Sequence, residues 1–293
     1  MHTTITDMPV LTPTSLDEAL DLLVDSPAAM VLAGGTDLMV TINAGRQPVR
    51  TVLGLSRVEE LRRWRREGDT VVLGAGLTYQ DLALADLAPL VPGLAQAART
   101  VGSPQIRNAG TLGGNLGTAS PAGDTLPVLA ALDAVVELRS AEGSRLLPIG
   151  EFLTGPKRTA RQAGELIVSV RVPVARGPQE FLKVGARNAM VIAVASLALV
   201  VDLEARRVGV ALGAVGPTVL RAPEAESFAV DHIDWDRGEL RHPGSAEGFG
   251  RRVADAAQPI DDHRSLATYR RHCVSVLAGR ALRRVFATAG SGP

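Results

Sequence analysis

Ala33-Gly34-Gly35-Thr36-Asp37 and Thr111-Leu112-Gly113-Gly114-Asn115 are the two stretches on which the reading of this chain turns. Each is a glycine pair flanked by hydroxyl or amide side chains. Paired glycines admit positive φ and remove two Cβ atoms, so consecutive backbone N–H groups can converge on an anion that comes close to the main chain. A pyrophosphate is the ligand that two such loops would suit. In the first loop, Thr36 is expected to cap a helix starting at Asp37, whose N-terminus adds partial positive charge. In the second, Thr111 and Asn115 can supply side-chain donors where no lysine is offered. Either Gly-Gly alone reads better as an ordinary turn; the recurrence, with Thr36, Thr111 and Asn115 attached, points to the anion. The P-loop signature, G-x-x-x-x-G-K followed by Ser or Thr, is absent, which argues against a nucleoside triphosphate site.

Outward from the first loop, Ser15 and Glu18 read as a capping box, with Leu16, Leu20 and Leu23 on one helix face. A strand Met30 to Ala33 leads into the glycines, Asp37 to Ile42 reads as helix, and a second strand runs from Val49 to Leu55. That βαβ-like opening favours a small parallel sheet. From about Arg57 the pattern changes to strands at Thr70 to Leu73, Ala134 to Leu138 and Glu165 to Val172, with helices at Thr78 to Leu87 and Gly93 to Val101. In the last of those strands Leu166, Val168, Val170 and Val172 alternate with Ser169 and Arg171. Gly74-Ala75-Gly76 resembles the start of a dinucleotide fingerprint, but Tyr79 stands where the third glycine belongs, so it reads as a strand-to-helix turn capped by Thr78. Arg176 to Pro178 has linker character. Strands follow at Phe181 to Val184 and Val208 to Ala214, and an amphipathic helix Ser265 to Ala287 ends in an Ala-Gly-Ser-Gly-Pro tail.

Composition narrows the function classes. Lys plus Arg and Asp plus Glu stand at 31 each, and aromatics make up only 3%, so neither a phosphate-tracking surface nor base-stacking platforms are expected and nucleic acid is excluded as a partner. The arginines at 62, 63, 65 and 66, and at 280, 283 and 284, read as solvated faces or subunit contacts. A single cysteine, Cys273, cannot form an intrachain disulfide or hold an iron–sulfur cluster, and its neighbour His272 on the terminal helix does not make a catalytic pair with it. Any redox metal is expected on another chain. The apolar run Ala189 to Val201 is well short of the roughly 20 residues that span a bilayer, so no membrane insertion is expected and it reads as a buried strand pair or core segment. Met1 to Pro13 lacks the basic and apolar stretches of a secretory signal, which makes the cytoplasm the expected compartment.

The two loops, with Ala119-Ser120-Pro121-Ala122-Gly123-Asp124 after the second, resemble the flavin-binding subunits of molybdenum hydroxylases of the xanthine dehydrogenase and carbon monoxide dehydrogenase type. These share the FAD domain of para-cresol methylhydroxylase. The resemblance extends through Pro13 to Ala19, Gly74 to Tyr79, Gly164 to Ile167, Phe181-Leu182-Lys183 with Arg187, and Tyr269-Arg270-Arg271 with Arg280-Ala281-Leu282. It implies an α+β fold: a two-part FAD-binding domain over 1–175, with a small parallel βαβ subdomain (about 1–56) and a mixed or antiparallel α+β subdomain (57–175). A smaller α+β domain with an antiparallel sheet and helices is expected over 176–293.

The resemblance implies that Ala33, Gly34, Gly35, Thr36, Asp37 and Leu38, together with Thr111, Gly113, Gly114 and Asn115, hold the FAD pyrophosphate. Asp124 falls where the family places a carboxylate on ribityl or ribose hydroxyls; from the sequence it is equally an N-cap for a helix Thr125 to Leu132, and one residue can do both. Leu166 and Ile167 match positions packed on the cofactor. Lys183 matches a lysine near the flavin ring, or is a surface lysine at a strand end. After Arg187 many relatives carry an aspartate where this chain has Met190-Val191-Ile192, and Ile192 lies where some place a residue beside the isoalloxazine, so a more hydrophobic flavin face is expected and the electron acceptor stays open. The implied function is electron transfer from 2Fe-2S clusters on a small partner subunit, through FAD on this chain, to NAD or another acceptor. Substrate oxidation is then expected on a large molybdopterin subunit, and no residue of this chain acts as a catalytic acid or base. A stand-alone flavin reductase or oxidase of the same superfamily, or a non-catalytic FAD-holding scaffold, are the alternatives.

Overall fold

Sheets of three, five and four strands organise the chain in the computed structural model, which describes residues 9–48, 50–242 and 244–287. The first sheet is parallel. Its middle strand, Val52–Gly54, pairs with Val10–Leu11 on one side and Met30–Leu32 on the other. The expected second strand thus starts later than the sequence suggests; Val49 lies outside the described residues.

The helix Leu16–Asp25 links the first two strands and buries Leu16, Ala19, Leu20 and Leu23 against Leu53, Val58 and Leu61. Its capping box is one residue wider than expected. The Ser15 hydroxyl accepts from the Glu18 amide at 3.2 Å, but the Glu18 carboxylate turns back to Thr14, accepting from its N–H at 2.7 Å and its hydroxyl at 3.0 Å. The second helix runs Leu38–Asn43, and the residue at its cap is Asp37, in helical conformation with no side-chain cap bond. Thr36 is therefore not the cap.

The second sheet is antiparallel, in the order Trp64–Glu67, Thr70–Gly74, Leu166–Pro173, Val135–Ser140, Gly143–Pro148. Its inner strands are those the sequence announces. Both edges escape that reading, because Arg65, Arg66 and Glu67 are exposed and charges on an edge strand look like a solvated face. The even alternation expected along 166–172 is broken by an irregularity between Ile167 and Ser169. Leu166 and Val168 join the small core around the helix Leu16–Asp25, whereas Val170 and Val172 point with Ile167 into the larger core beside it. With a side-chain period of two, one extra residue exchanges the faces, so a single strand serves two cores.

The helix expected over Thr78 to Leu87 is instead a 3-10 turn, Asp81–Ala83. The residue at its cap is Gln80 and not the expected Thr78, which still closes on the turn: its hydroxyl accepts from the Asp81 amide at 3.1 Å, and the Asp81 carboxylate accepts from the Thr78 N–H at 2.9 Å and its hydroxyl at 2.8 Å. The chain then becomes extended at Leu84, which is exposed, and delivers both Leu82 and Leu87 to the core. Four α-helices follow before the next strand: Pro92–Thr100, Pro104–Ala109, Leu112–Thr118 and Thr125–Ala131.

The third sheet is an antiparallel meander of Gln179–Val184, Ala195–Asp202, Arg207–Gly213 and Leu220–Arg221. Phe181, Ala198, Val200 and Ala211 enter the same core as the helices Pro92–Thr100 and Thr125–Ala131. Leu197, Leu199, Val201, Val208, Val210 and Leu212 face the other way, onto Pro223–His232, Ser245–Ala256 and the terminal helix Ala267–Ala287. Burial on both faces explains why Ala195 to Val201 shows no alternation, whereas the start of the run expected to be buried, Ala189 to Ile192, is a largely exposed connection. The fold is α+β, as expected. Among the described residues no helix is long and apolar enough to cross a membrane.

Candidate functional site

The two diglycine loops meet. A Cβ on Gly34 would lie 1.8 Å from the Ala109 carbonyl oxygen and 3.0 Å from Gly110 Cα, so the first loop rests on the backbone that leads into the second. The Asp37 carboxylate accepts from the Thr118 hydroxyl at 3.0 Å, joining the first loop to the far end of the helix Leu112–Thr118. Gly113 in turn lies against the Gly74-Ala75-Gly76 turn, where a Cβ would meet Ala75 Cβ at 2.7 Å.

Around this junction opens a cleft of about 760 Å³ between the parallel sheet and the antiparallel one. Of the residues expected to form the site, Ala33, Gly34, Gly35, Thr36, Asp37, Leu38, Thr111, Gly113, Gly114, Asn115, Leu166 and Ile167 all line it.

The loops differ in what they offer. In the second, the N–H of Leu112 donates to the Leu77 carbonyl at 2.8 Å, that of Gly113 to Ala75 at 2.7 Å, that of Gly114 to the Thr111 hydroxyl at 3.0 Å, and that of Asn115 to the Thr111 carbonyl at 3.0 Å. The expectation that its main-chain amides converge on an anion is therefore not met: they are consumed in starting a helix and docking it on the neighbouring turn. Its remaining polar groups are side chains. Asn115 accepts through Oδ1 from the Thr125 hydroxyl at 2.5 Å, which leaves its Nδ2 to donate, and Thr111 keeps its hydroxyl proton. In the first loop, by contrast, the amides of Gly34, Gly35, Thr36 and Asp37 have no acceptor among the described residues. Four successive unclaimed donors on a cleft wall, with Gly35 at φ 73°, form a cradle for an anionic group.

Asp124 and Lys183 are not brought to the cleft wall. They form an ion pair with Nζ 2.6 Å from Oδ2, their side chains 6% and 9% exposed, beneath the junction of the helices with the third sheet. The Thr100 hydroxyl donates to the same carboxylate at 3.1 Å, and Lys183 also donates to the Thr100 carbonyl at 3.2 Å. Asp124 sits at the start of the helix Thr125–Ala131 without capping it, and Lys183 is no surface residue. Asp124 Oδ1 is buried without a partner among the described residues. Burial pushes the Asp124 carboxyl above its ordinary range, against the pull of Lys183 and Thr100.

Several lining residues were not assigned to the site from the sequence. Ala75, Gly76, Thr78 and Tyr79 bring the third glycine turn into the wall, and Lys157 and Arg161 add cations to it. Burial, then the Asp37 and Asp124 carboxylates, push the Tyr79 phenol up, so it stays protonated. Hydrogen bonds from Arg145 hold the Glu165 carboxyl below its ordinary range despite burial, and Arg161 donates to the Glu165 carbonyl at 2.8 Å. The signal available for Lys157 was the turn Gly155-Pro156-Lys157-Arg158, but turn chemistry does not say which way the turn faces. Beyond the cleft, Met190 and Ile192 are exposed, and Arg187 donates to the Met190 carbonyl.

Comparisons with known proteins agree with this architecture. Residues 4–175 match the family described as FAD binding domain in molybdopterin dehydrogenase, and 180–285 match CO dehydrogenase flavoprotein C-terminal domain. The chain is 33% identical to the glyceraldehyde dehydrogenase medium chain of Sulfolobus acidocaldarius, over 92% of this chain and 95% of that one. It is 30% identical to the carbon monoxide dehydrogenase medium chain of Hydrogenophaga pseudoflava, over 94% and 96%. A solved carbon monoxide dehydrogenase from the latter organism superposes with a TM-score of 0.85 at 29% identity, covering 96% of this chain and 97% of that one. A cleft with a free amide cradle, in a chain matched end to end by such subunits, places this protein in the family of FAD-binding medium subunits of xanthine dehydrogenase- and carbon monoxide dehydrogenase-type molybdenum hydroxylases.

Proposed function

We propose that this chain is the electron-transfer subunit of a cytoplasmic molybdenum hydroxylase. It takes electrons from 2Fe-2S clusters on a small partner subunit and delivers them to NAD or another acceptor, while the organic substrate is oxidised on a large molybdopterin subunit. The chain divides on this reading into an FAD-binding domain over 1–175 and a C-terminal domain over 176–293. Bound FAD supplies the capacity to exchange electrons in ones and twos; the protein supplies position and electrostatics.

The observation that carries the site assignment is the run of unclaimed amides Gly34 to Asp37 beside Asn115. On this reading Ala33 to Leu38 seat the diphosphate, its charge drawn to the amide dipoles. Thr111 and the Nδ2 of Asn115 donate from the second loop, with Gly113 and Gly114 allowing that loop its close approach. Leu166 and Ile167 give an apolar surface for a ring system and exclude water from it. Asp124, off the cleft wall, acts on this reading as a positioning group: paired with Lys183, it holds the start of the helix Thr125–Ala131, and with it Thr125 and Asn115, against the third sheet.

The test is co-expression with the neighbouring genes, followed by visible spectroscopy and metal analysis of what co-elutes. A flavoprotein eluting with iron and molybdenum is expected, and bleaching of its flavin by NADH would identify the acceptor as a pyridine nucleotide. A flavoprotein that elutes alone and turns over a substrate of its own would overturn the reading in favour of a stand-alone reductase.

A further inference from the structure

Lys157 occupies a backbone conformation that lysine does not favour. It sits at φ 55° between the paired strands Leu153–Gly155 and Arg158–Thr159, after Pro156, at the turn position usually given to glycine. For a residue with a Cβ the left-handed region is strained, and a glycine would hold the same turn more easily. Strain kept at the lip of a cleft points to a task for the side chain.

Three observations say what the task is. The Lys157 amide donates to the Ala119 carbonyl at 3.0 Å, which pins the turn beside Thr118, the residue bonded to Asp37 of the first loop. The lysine therefore lines the same cleft as the four unclaimed amides. Its ammonium has no carboxylate within bonding distance among the described residues, whereas Glu165, which also faces the cleft, is committed to Arg145 through bonds of 2.6 and 2.9 Å. Asp37 is engaged by Thr118. The lining of one cleft thus holds both a backbone anion cradle and a lysine without an ionic partner among the described residues.

We infer that Lys157 is a diphosphate-contacting cation, closing over the dinucleotide from the lip of the cleft. This rests on the assignment of the cleft as the FAD site. The same chemistry can be met by the diphosphate of FAD itself or by that of a pyridine dinucleotide arriving at the open lip.

The full chain, stripped of flavin, is titrated with FAD by fluorescence quenching at low and high salt; the flavin-loaded chain is titrated with ADP-ribose by calorimetry. Lys157→Gly removes the charge and relieves the turn together, so it is expected to melt about 2 °C higher than the natural chain, while binding its diphosphate ligand roughly tenfold more weakly and with a shallower salt dependence. Lys157→Gln should lose the same affinity without the gain in melting temperature, and Lys157→Arg should restore it. A loss confined to FAD assigns the contact to the resident cofactor, and a loss confined to ADP-ribose assigns it to the acceptor. Unchanged affinity and salt dependence for both ligands in Lys157→Gly and Lys157→Gln would overturn the inference while leaving the cleft assignment intact. A natural chain that takes up no FAD would bring down the cleft assignment and this inference with it.

Discussion

Gly34→Ala is the sharpest probe of how the site is built. The nearest atoms to a Cβ there are all main chain: the Ala109 oxygen at 1.8 Å, its carbonyl carbon at 2.5 Å and Gly110 Cα at 3.0 Å. None can rotate away. Comfortable contact between heavy atoms is about 3.5 Å, so the loops must part by about 1.7 Å at this point. Overpacking of this kind costs roughly 1–3 kcal/mol of stability. The greater effect falls on binding, because the free amides move relative to Asn115 on the other loop. Losing the alignment of one hydrogen bond to a charged group, worth about 1.5–3 kcal/mol, weakens FAD binding by roughly ten- to a hundredfold. Gly35→Ala is the control. That residue has φ 73°, but its nearest neighbour is Met39 Cγ at 3.3 Å, a side chain that can yield, so the expected cost is about 1–2 kcal/mol of conformational strain with the loop contact preserved. The assay is the flavin-to-protein ratio of the purified chain, its FAD dissociation constant and its melting temperature. If Gly34→Ala keeps its flavin as well as Gly35→Ala does, the loop–loop contact does not organise the site.

Three further outcomes follow from buried charges and close contacts. Lys183→Met strands the Asp124 carboxylate and should destabilise the chain by about 3–5 kcal/mol, of which Asp124→Asn in the same chain should recover a large part; a double-mutant cycle in urea measures the coupling, and additive effects would show that the pair is not linked. Asp262→Ala leaves the guanidinium of Arg270, only 3% exposed, without its carboxylate and should likewise cost about 3 kcal/mol at neutral pH. Despite burial, Arg264 and Arg270 hold the Asp262 carboxyl well below its ordinary value, so its contribution is complete above roughly pH 5 and disappears as pH falls towards the folded-state value; urea midpoints from pH 7 to 3 should fall less steeply in Asp262→Ala than in the natural chain. Gly113→Ala sets a Cβ 2.7 Å from Ala75 Cβ and 2.8 Å from the Ala75 oxygen, and should push the second loop off the neighbouring turn, lowering flavin content with a smaller loss of melting temperature than Gly34→Ala.

The α+β character, the parallel opening and the meeting of two glycine loops were legible because each is written in local pattern: Ser15 and Glu18 before Leu16, Leu20 and Leu23, then Gly-Gly twice. What escaped was set by long-range packing. The irregularity at Ile167 has no local mark, since Val168 is apolar and suits either face. The helix expected after Thr78 gives way because Leu82 and Leu87 must both reach the core, which outweighs helical periodicity. The second loop shows the same limit at the site: its glycines are as telling as those of the first, yet their amides are taken up by Leu77, Ala75 and Thr111, partners that only the fold supplies. Lys157 was invisible as a site residue because its turn signature gives a shape and no direction.

The strand Leu166–Pro173 feeds Leu166 and Val168 to one core and Val170 and Val172 to another. Removing Val168 would leave a regular strand with Val170 and Val172 still on the face of Ile167 and Ser169 in the place of Val168, but one residue added after Ser169 would send the residues beyond it to the opposite compartments. Added length at this point is therefore a stricter constraint than residue type: swaps among Val, Ile and Leu should be tolerated where a single-residue insertion is not. In an alignment of relatives, the gap pattern around Ile167 to Ser169 would reveal the boundary between the two compartments more sharply than the amino acids themselves.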